Sequence, residues 1–138
     1  MITKVVRTKE LSVVVNNEVG ALSRLMSFLV NHGINVETIA GYSNNVGDQG
    51  ELIFITNNNE AAINELVSNG YNNLRQSDVL IIELENRPGT LKNISEVLAL
   101  NGVNINYVYC TTCSSGCPAK IVLSTNDNDR ALHLLTQR

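Results

Sequence analysis

This sequence is poor in what several common functions need in quantity. It has no tryptophan, and aromatic residues make up 4% of its 138 residues. A single-strand RNA reader stacks bases on aromatic side chains, so that role lacks its material. Positive charge is not in excess, with 10 Lys and Arg against 13 Asp and Glu, a net charge of −3 and a pI near 5.3. A general nucleic-acid binder carries a basic field, so no nucleic-acid partner is expected. Long apolar runs are missing too. Stretches such as Val13–Val15 and Leu52–Ile55 fall far short of the roughly 20 residues that cross a bilayer, so no membrane partner is expected. No charged region followed by an apolar stretch opens the chain, which argues against a secretion signal. Three cysteines are an odd number, which argues against a closed disulfide framework and makes a reducing cytoplasm the expected location. Gly-rich phosphate loops, nucleophile elbows and paired catalytic acids are all lacking. The expectation is therefore a protein that is not an enzyme and needs no cofactor.

What is present is a repeat. Asn17-Glu18-Val19-Gly20-Ala21-Leu22 is followed 69 residues later by Asn86-Arg87-Pro88-Gly89-Thr90-Leu91. The same offset pairs Leu29 with Leu98, Gly33 with Gly102, Asn35 with Asn104, Gly47 with Gly116, Ala62 with Ala131 and Leu66 with Leu135, without a gap. Two such copies account for the 138 residues. Units this small bury a low fraction of their surface when alone, so the halves are expected to support each other.

Each copy reads as strand, helix, strand, strand, helix, strand. Leu11, Val13 and Val15 alternate as in a half-buried strand, and Leu80, Ile82 and Leu84 repeat them. Leu22, Leu25, Met26 and Leu29 form an i, i+3, i+4, i+7 helical stripe, matched by Leu91, Ile94 and Leu98. Gly33 and Gly102 mark the helix stops. Strand two is expected over 34–42 and 103–111, strand three over 51–56 and 120–125, and helix two over 60–68 and 129–137. The pattern is α+β, two ferredoxin-like βαββαβ units side by side, each an antiparallel sheet with its helices on one face. The fourth strand of copy one is placed at 71–76. Copy two has no equivalent tail, but Met1–Thr8 matches Gly70–Ser77 at the same offset. The N-terminal strand is thus expected to complete the second unit. The domains are 9–76, and 77–138 with 1–8.

The first turn of each copy holds the candidate chemistry. Gly20 and Gly89 let a ligand approach the backbone, and each turn leads into a helix N-terminus whose amides favour a carboxylate. Asn17 and Asn86, with Asn35 and Asn104 at the start of strand two, offer donors and acceptors together, as a zwitterion requires. The chain has 20 asparagines, so Asn17 and Asn86 equally suit a helix cap or a turn.

Glu85-Asn86-Arg87-Pro88-Gly89-Thr90-Leu91 with Gly102-Val103-Asn104-Ile105 resembles the opening of an ACT domain, and is especially similar to the serine-sensing regulatory domain of phosphoglycerate dehydrogenase. Copy one departs from it at Val19 and Glu18, in place of proline and arginine. The resemblance implies an amino-acid-binding regulatory module, with ligand at the interface between units. It places ligand contacts at Asn17, Val19, Gly20, Ala21, Leu22 and Asn35 in copy one. In copy two it places them at Asn86, Arg87, Pro88, Gly89, Thr90, Leu91 and Asn104. The expected partners are an amino acid and an enzyme or regulator of amino-acid metabolism.

Cys110, Cys113 and Cys117 suggest a different class of function, a metal or redox module. A closed metal site usually needs four ligands, and copy one has Gly41, Asn44 and Asp48 at the matching places. Free thiols are the simpler expectation. His32 and His133 are isolated and read as surface or packing residues. Strand three is apolar on both faces, with Leu52, Ile53, Phe54 and Ile55 in succession. From this the units are expected to join edge to edge near their first helices and second strands, with the remaining sheet face covered in a homodimer.

Overall fold

The computed structural model describes residues 2–43 and 45–136. Met1, Asn44, Gln137 and Arg138 lie outside them, and with them the Asn44 counterpart of Cys113 and the ends of the segments expected at 1–8 and 129–137. Among the described residues six antiparallel strands and four helices run in the order β1 Ile2–Asn16, α1 Ala21–Val30, β2 Val36–Tyr42, β3 Gln49–Thr56, α2 Asn59–Ser68, β4 Leu74–Leu84, α3 Thr90–Leu100, β5 Ile105–Thr111, β6 Ala119–Thr125 and α4 Asn128–Thr136. The chain divides into two compact units, Lys9–Ser77, and Asp78–Arg138 with Met1–Thr8. Among the described residues no helix is long and apolar enough to cross a membrane.

Six strands replace the eight of the sequence pattern because two pairs are continuous. Strand β1 joins the segments expected at 2–7 and 11–15, and β4 runs on from Leu74 to Leu84. Neither junction contains glycine or proline, so nothing there breaks an extended backbone. Tyr71–Asn73, expected as the start of a strand, lies outside β4.

In the Lys9–Ser77 unit the strand order is β2-β3-β1-β4. Leu11 faces Phe54, Val13 faces Leu52 and Val15 faces Gly50 across β1 and β3. Directly opposed residues share a sheet face. That face packs on Leu25 and Leu29 of α1 and Ala62 and Leu66 of α2, closing a core with Leu11, Val13, Ile34 and Phe54. The second unit repeats the order as β5-β6-β4-β1. Its core contains Leu80, Ile82, Ile94, Leu98, Val103, Leu123, Ala131 and Leu135. These are the positions 69 residues after the eight core residues of the first unit, so the repeat is a repeat of the core. Ile2 and Val5 pack against this second core, and the Thr3 hydroxyl donates to the Glu83 carbonyl at 3.2 Å.

A polar motif repeats with the core. Thr56 donates its amide and hydroxyl to Asn59 Oδ1, at 3.1 and 2.7 Å, and Asn59 Nδ2 donates to the Lys9 carbonyl at 3.0 Å. Thr125, Asn128 and the Asp78 carbonyl do the same in the other unit. Asn58 caps α2 by accepting from the Ala61 amide, and Asp127 accepts from Arg130. Asn35 and Asn57 lock together, the Asn35 amide donating to Asn57 Oδ1 and the Asn57 amide to the Asn35 carbonyl. Asn104 and Asn126 repeat that exchange. Much of the asparagine content is therefore structural, satisfying groups that helix and strand ends leave over.

Burial revises one sequence reading and bears on a second. Leu22 and Leu91 begin the helical stripes but are 50% and 47% exposed, outside both cores. Ile55 and Val122, on the sheet face away from the helices, are 3% and 2% exposed within the chain itself. The apolar run of strand three thus does not by itself call for a second chain to cover it.

Candidate functional site

The Lys9–Ser77 unit has an open groove of about 730 Å³, bounded by Asn17, Glu18, Gly20, Ala21, Leu22 and Ser23 on one side and by Ile39–Ser43 with Gly50–Leu52 on the other. Its position follows from three local features. The β1–α1 turn ends at Gly20, which has φ +84° and precedes the helix without a side-chain cap. That left-handed conformation is disfavoured for residues with a Cβ. The turn frees the start of α1. The Ala21 amide donates to the Glu18 carbonyl, whereas among the described residues neither the Leu22 nor the Ser23 amide has an acceptor. No acidic residue lies in the first turn of α1 to offset its positive end.

The second feature is the tie between the turn and the β2–β3 loop. The Asn17 amide donates to the Asp48 carbonyl and the Gly47 amide to the Asn17 carbonyl, both at 2.8 Å, while Asn17 Nδ2 donates to the Asn45 carbonyl at 2.9 Å. Asn17 therefore shapes the turn, as one sequence reading had it, and it also lines the groove with Oδ1 still able to accept.

The third is the sheet floor. Gly41 faces Leu52 across β2 and β3, and Val15 faces Gly50 across β1 and β3. A Cβ on Gly41 would lie 2.5 Å from Leu52 Cδ2, and one on Gly50 would lie 2.9 Å from the Tyr42 carbonyl oxygen. Ser43 Oγ, packed beside Gly50, is buried and has no hydrogen-bond partner among the described residues.

The other sequence-predicted residues are placed as follows. Val19 is 96% exposed and does not line the groove. Asn35 precedes β2, and within its own unit it lies about 20 Å along the strand from Gly41. In the second unit Gly89 repeats the left-handed entry with φ +93°. Asn86, Arg87 and Pro88 are exposed there, and Arg87 Nε pairs with Glu85 at 3.2 Å. The Thr90 hydroxyl donates to the Arg87 carbonyl, and Asn104 Nδ2 to Asn106 Oδ1 at 3.2 Å. Thr90 also lines a separate recess of about 210 Å³ with Ile2, Leu84 and Leu134. Sequence reasoning missed Gly41, Ser43 and Gly50. A glycine in each of two paired strands was the available signal.

The cysteines require a correction. Cys113 and Cys117 form a disulfide, and Cys110 is free and exposed. An odd count leaves one thiol over but does not forbid a single bridge. Bridged sulfurs supply no thiolate to a metal. Among the described residues no group of three His, Cys, Asp or Glu side chains is placed to hold one. Without reductant, alkylation of the unfolded chain is expected to label Cys110 alone. After reduction mass spectrometry should find three labels, and three labels beforehand would refute the bridge. His32 Nε2 lies 3.1 Å from Glu65 on the surface, and His133 sits in the last turn of α4.

Tyr42 holds its proton more tightly than an ordinary tyrosine, because its hydroxyl donates to Glu51 Oε2 at 3.1 Å and that carboxylate opposes the phenolate. Glu51→Gln removes the charge. It is expected to bring the Tyr42 transition back toward the ordinary tyrosine range in an ultraviolet pH titration.

Two ferredoxin-like units in tandem, each entered by a left-handed glycine before its first helix, define the class of this chain. The family follows from comparison. A model described as an ACT domain pair matches residues 6–138, and the chain belongs to that family. No curated protein matches it. Among solved structures it is similar to protein BT0572 from Bacteroides thetaiotaomicron, at 26% identity and TM-score 0.85, over 95% of this chain and 88% of that one. The regulatory subunit of aspartate kinase from Thermus thermophilus shares the fold at 14% identity and TM-score 0.69, covering 97% and 95% of the two chains. Aspartate kinase from Clostridium acetobutylicum does so at 17% identity and TM-score 0.59, over 97% of this chain and 33% of that one.

Proposed function

We infer that this chain is a non-catalytic sensor that binds a free α-amino acid and passes its state to a partner in amino-acid metabolism. One observation carries the reading. The groove brings unpartnered amides at the positive end of α1, the Asn17 carboxamide and a buried Ser43 hydroxyl around one recess. Helix-terminal amides suit a carboxylate, and the Asn17 and Ser43 oxygens suit an ammonium. Val15, Ile39 and Leu52 supply apolar wall for a side chain. The reading is supported by fold-level likeness to a structure named as the regulatory subunit of aspartate kinase.

The common amino acids, tested one at a time at millimolar concentration by thermal shift, provide the first test. A ligand that binds only the native state raises stability by about 2.7 kcal/mol at 100 times its Kd, so at least one should raise the melting temperature by several degrees. No shift with any of them would sink the reading.

A further inference from the structure

The two copies are equivalent in fold but not in the floor of this recess. Six residues form the helix-facing floor in the first unit: Val15, Ile39, Gly41, Ser43, Gly50 and Leu52. The residues 69 positions on are Leu84, Val108, Cys110, Thr112, Ala119 and Ile121. The register is conserved, with Cys110 facing Ile121 across β5 and β6, and Leu84 facing Ala119 across β4 and β6. The side chains therefore occupy corresponding places. Val15 to Leu84, Gly41 to Cys110, Ser43 to Thr112 and Gly50 to Ala119 each add bulk. Only Ile39 to Val108 removes any.

The hydrogen bonding differs in the same direction. Ser43 Oγ is buried with no partner among the described residues, which costs free energy unless a bound molecule supplies one. Thr112, its counterpart, donates its hydroxyl to the Cys113 carbonyl at 3.4 Å. One floor is open and carries an unsatisfied polar atom. The other carries a larger side chain at four positions and a self-satisfied hydroxyl.

The geometry points to a single ligand site per chain, in the Lys9–Ser77 unit, with Gly41, Ser43 and Gly50 as its selectivity residues and the second unit's recess closed to the same amino acid. This rests on the sensor reading above and says which copy does the sensing. Gly41 keeps the groove open indirectly, because with no side chain it leaves room for Leu52 to lie over it. A methyl there would displace Leu52, whose flexible Cδ2 already lies over it, into the groove. Leu52 is the far end of a side chain and can rotate, so the fold survives the change.

The test takes the amino acid with the largest thermal shift and titrates it calorimetrically into the full chain, with amide NMR of the labelled protein. One equivalent is expected, with shifts at Gly41, Ser43 and Gly50 and none at Cys110, Thr112 and Ala119. Gly41→Ala and Ser43→Thr, which import bulk, should each weaken binding tenfold or more while leaving the unliganded fold intact by NMR. The double variant Cys110→Gly, Ala119→Gly should raise the stoichiometry toward two. Two equivalents in the parent, or binding unaltered in both Gly41→Ala and Ser43→Thr, would overturn the single-site inference and leave the sensor reading standing. Absence of binding by any amino acid would overturn both.

Discussion

Phe54→Ala is expected to destabilise the protein by about 3–5 kcal/mol, the usual cost of emptying a buried aromatic site. Phe54 is fully buried and opposes Leu11 on one side and Ile39 on the other. It belongs to the core formed with Leu25 and Leu29 of α1 and Ala62 and Leu66 of α2, so its loss loosens both helices from the sheet. Against a typical stability of about 5–15 kcal/mol for a domain, this is a large fraction. Leu123 occupies the corresponding place in the other unit and is 1% exposed. Leu123→Ala should cost about 2–5 kcal/mol. Denaturant unfolding of both variants checks the pair. A loss below 1 kcal/mol at Phe54 would mean that this core is not packed as described. Ser43→Ala gives the contrast. Removing a buried hydroxyl that has no partner should leave unliganded stability unchanged or slightly raised.

The fold was legible because two independent periodicities recur at one offset. Alternation over Leu11–Val15 and the stripe over Leu25–Leu29 each predict an element, and their return at Leu80–Leu84 and Ile94–Leu98 makes the assignment self-consistent. The missing fourth strand of copy two was traced to the N-terminal segment by the same offset. What escaped was continuity. The sequence shows two apolar patterns within β1 but no sign that the extended backbone persists through Thr8–Glu10. Pattern marks which residues are buried, and only the pairing of strands shows where the backbone stays extended.

The candidate groove was legible in its turn and not in its floor. Asn17, Gly20, Ala21 and Leu22 line the groove, and all four stand out in the repeat. Gly41 and Gly50 do not, because their effect depends on which residues they oppose. Only the pairing of β2 with β3 shows that these two glycines leave room for Leu52 and Ser43 to lie over the sheet and out of the groove. The bridge between Cys113 and Cys117 escaped for a related reason, since spacing alone serves a metal, a disulfide or neither. The repeated Thr-x-x-Asn motif, Thr56 to Asn59 and Thr125 to Asn128, could have been found from the offset. It explains asparagines that otherwise compete with Asn17 and Asn86 for attention.

Asn17→Ala is expected to weaken amino-acid binding by about 1–3 kcal/mol, the cost of leaving a ligand's polar group without its partner. That is about fivefold to 150-fold in Kd. The turn itself should persist, because the backbone of Asn17 still accepts from Gly47 and donates to Asp48. Only the side-chain bond to the Asn45 carbonyl is lost, and an exposed bond of that kind contributes about 0.5–1.5 kcal/mol to stability. The two effects are separable by measuring affinity well below the melting temperature and stability without ligand. Asn17→Asp sharpens the test. It keeps the acceptor and loses the donor, and it places a negative charge beside the start of α1, where a ligand carboxylate would lie. Because it keeps the acceptor that faces the ligand ammonium, it should bind better than Asn17→Ala, and its electrostatic part, attraction to the ammonium and repulsion of the carboxylate, should shrink in added salt. If Asn17→Ala binds as the parent does while its turn loosens, Asn17 is structural alone and the ligand is held by the α1 amides and Ser43. If both variants bind as the parent does, the groove is not the amino-acid site.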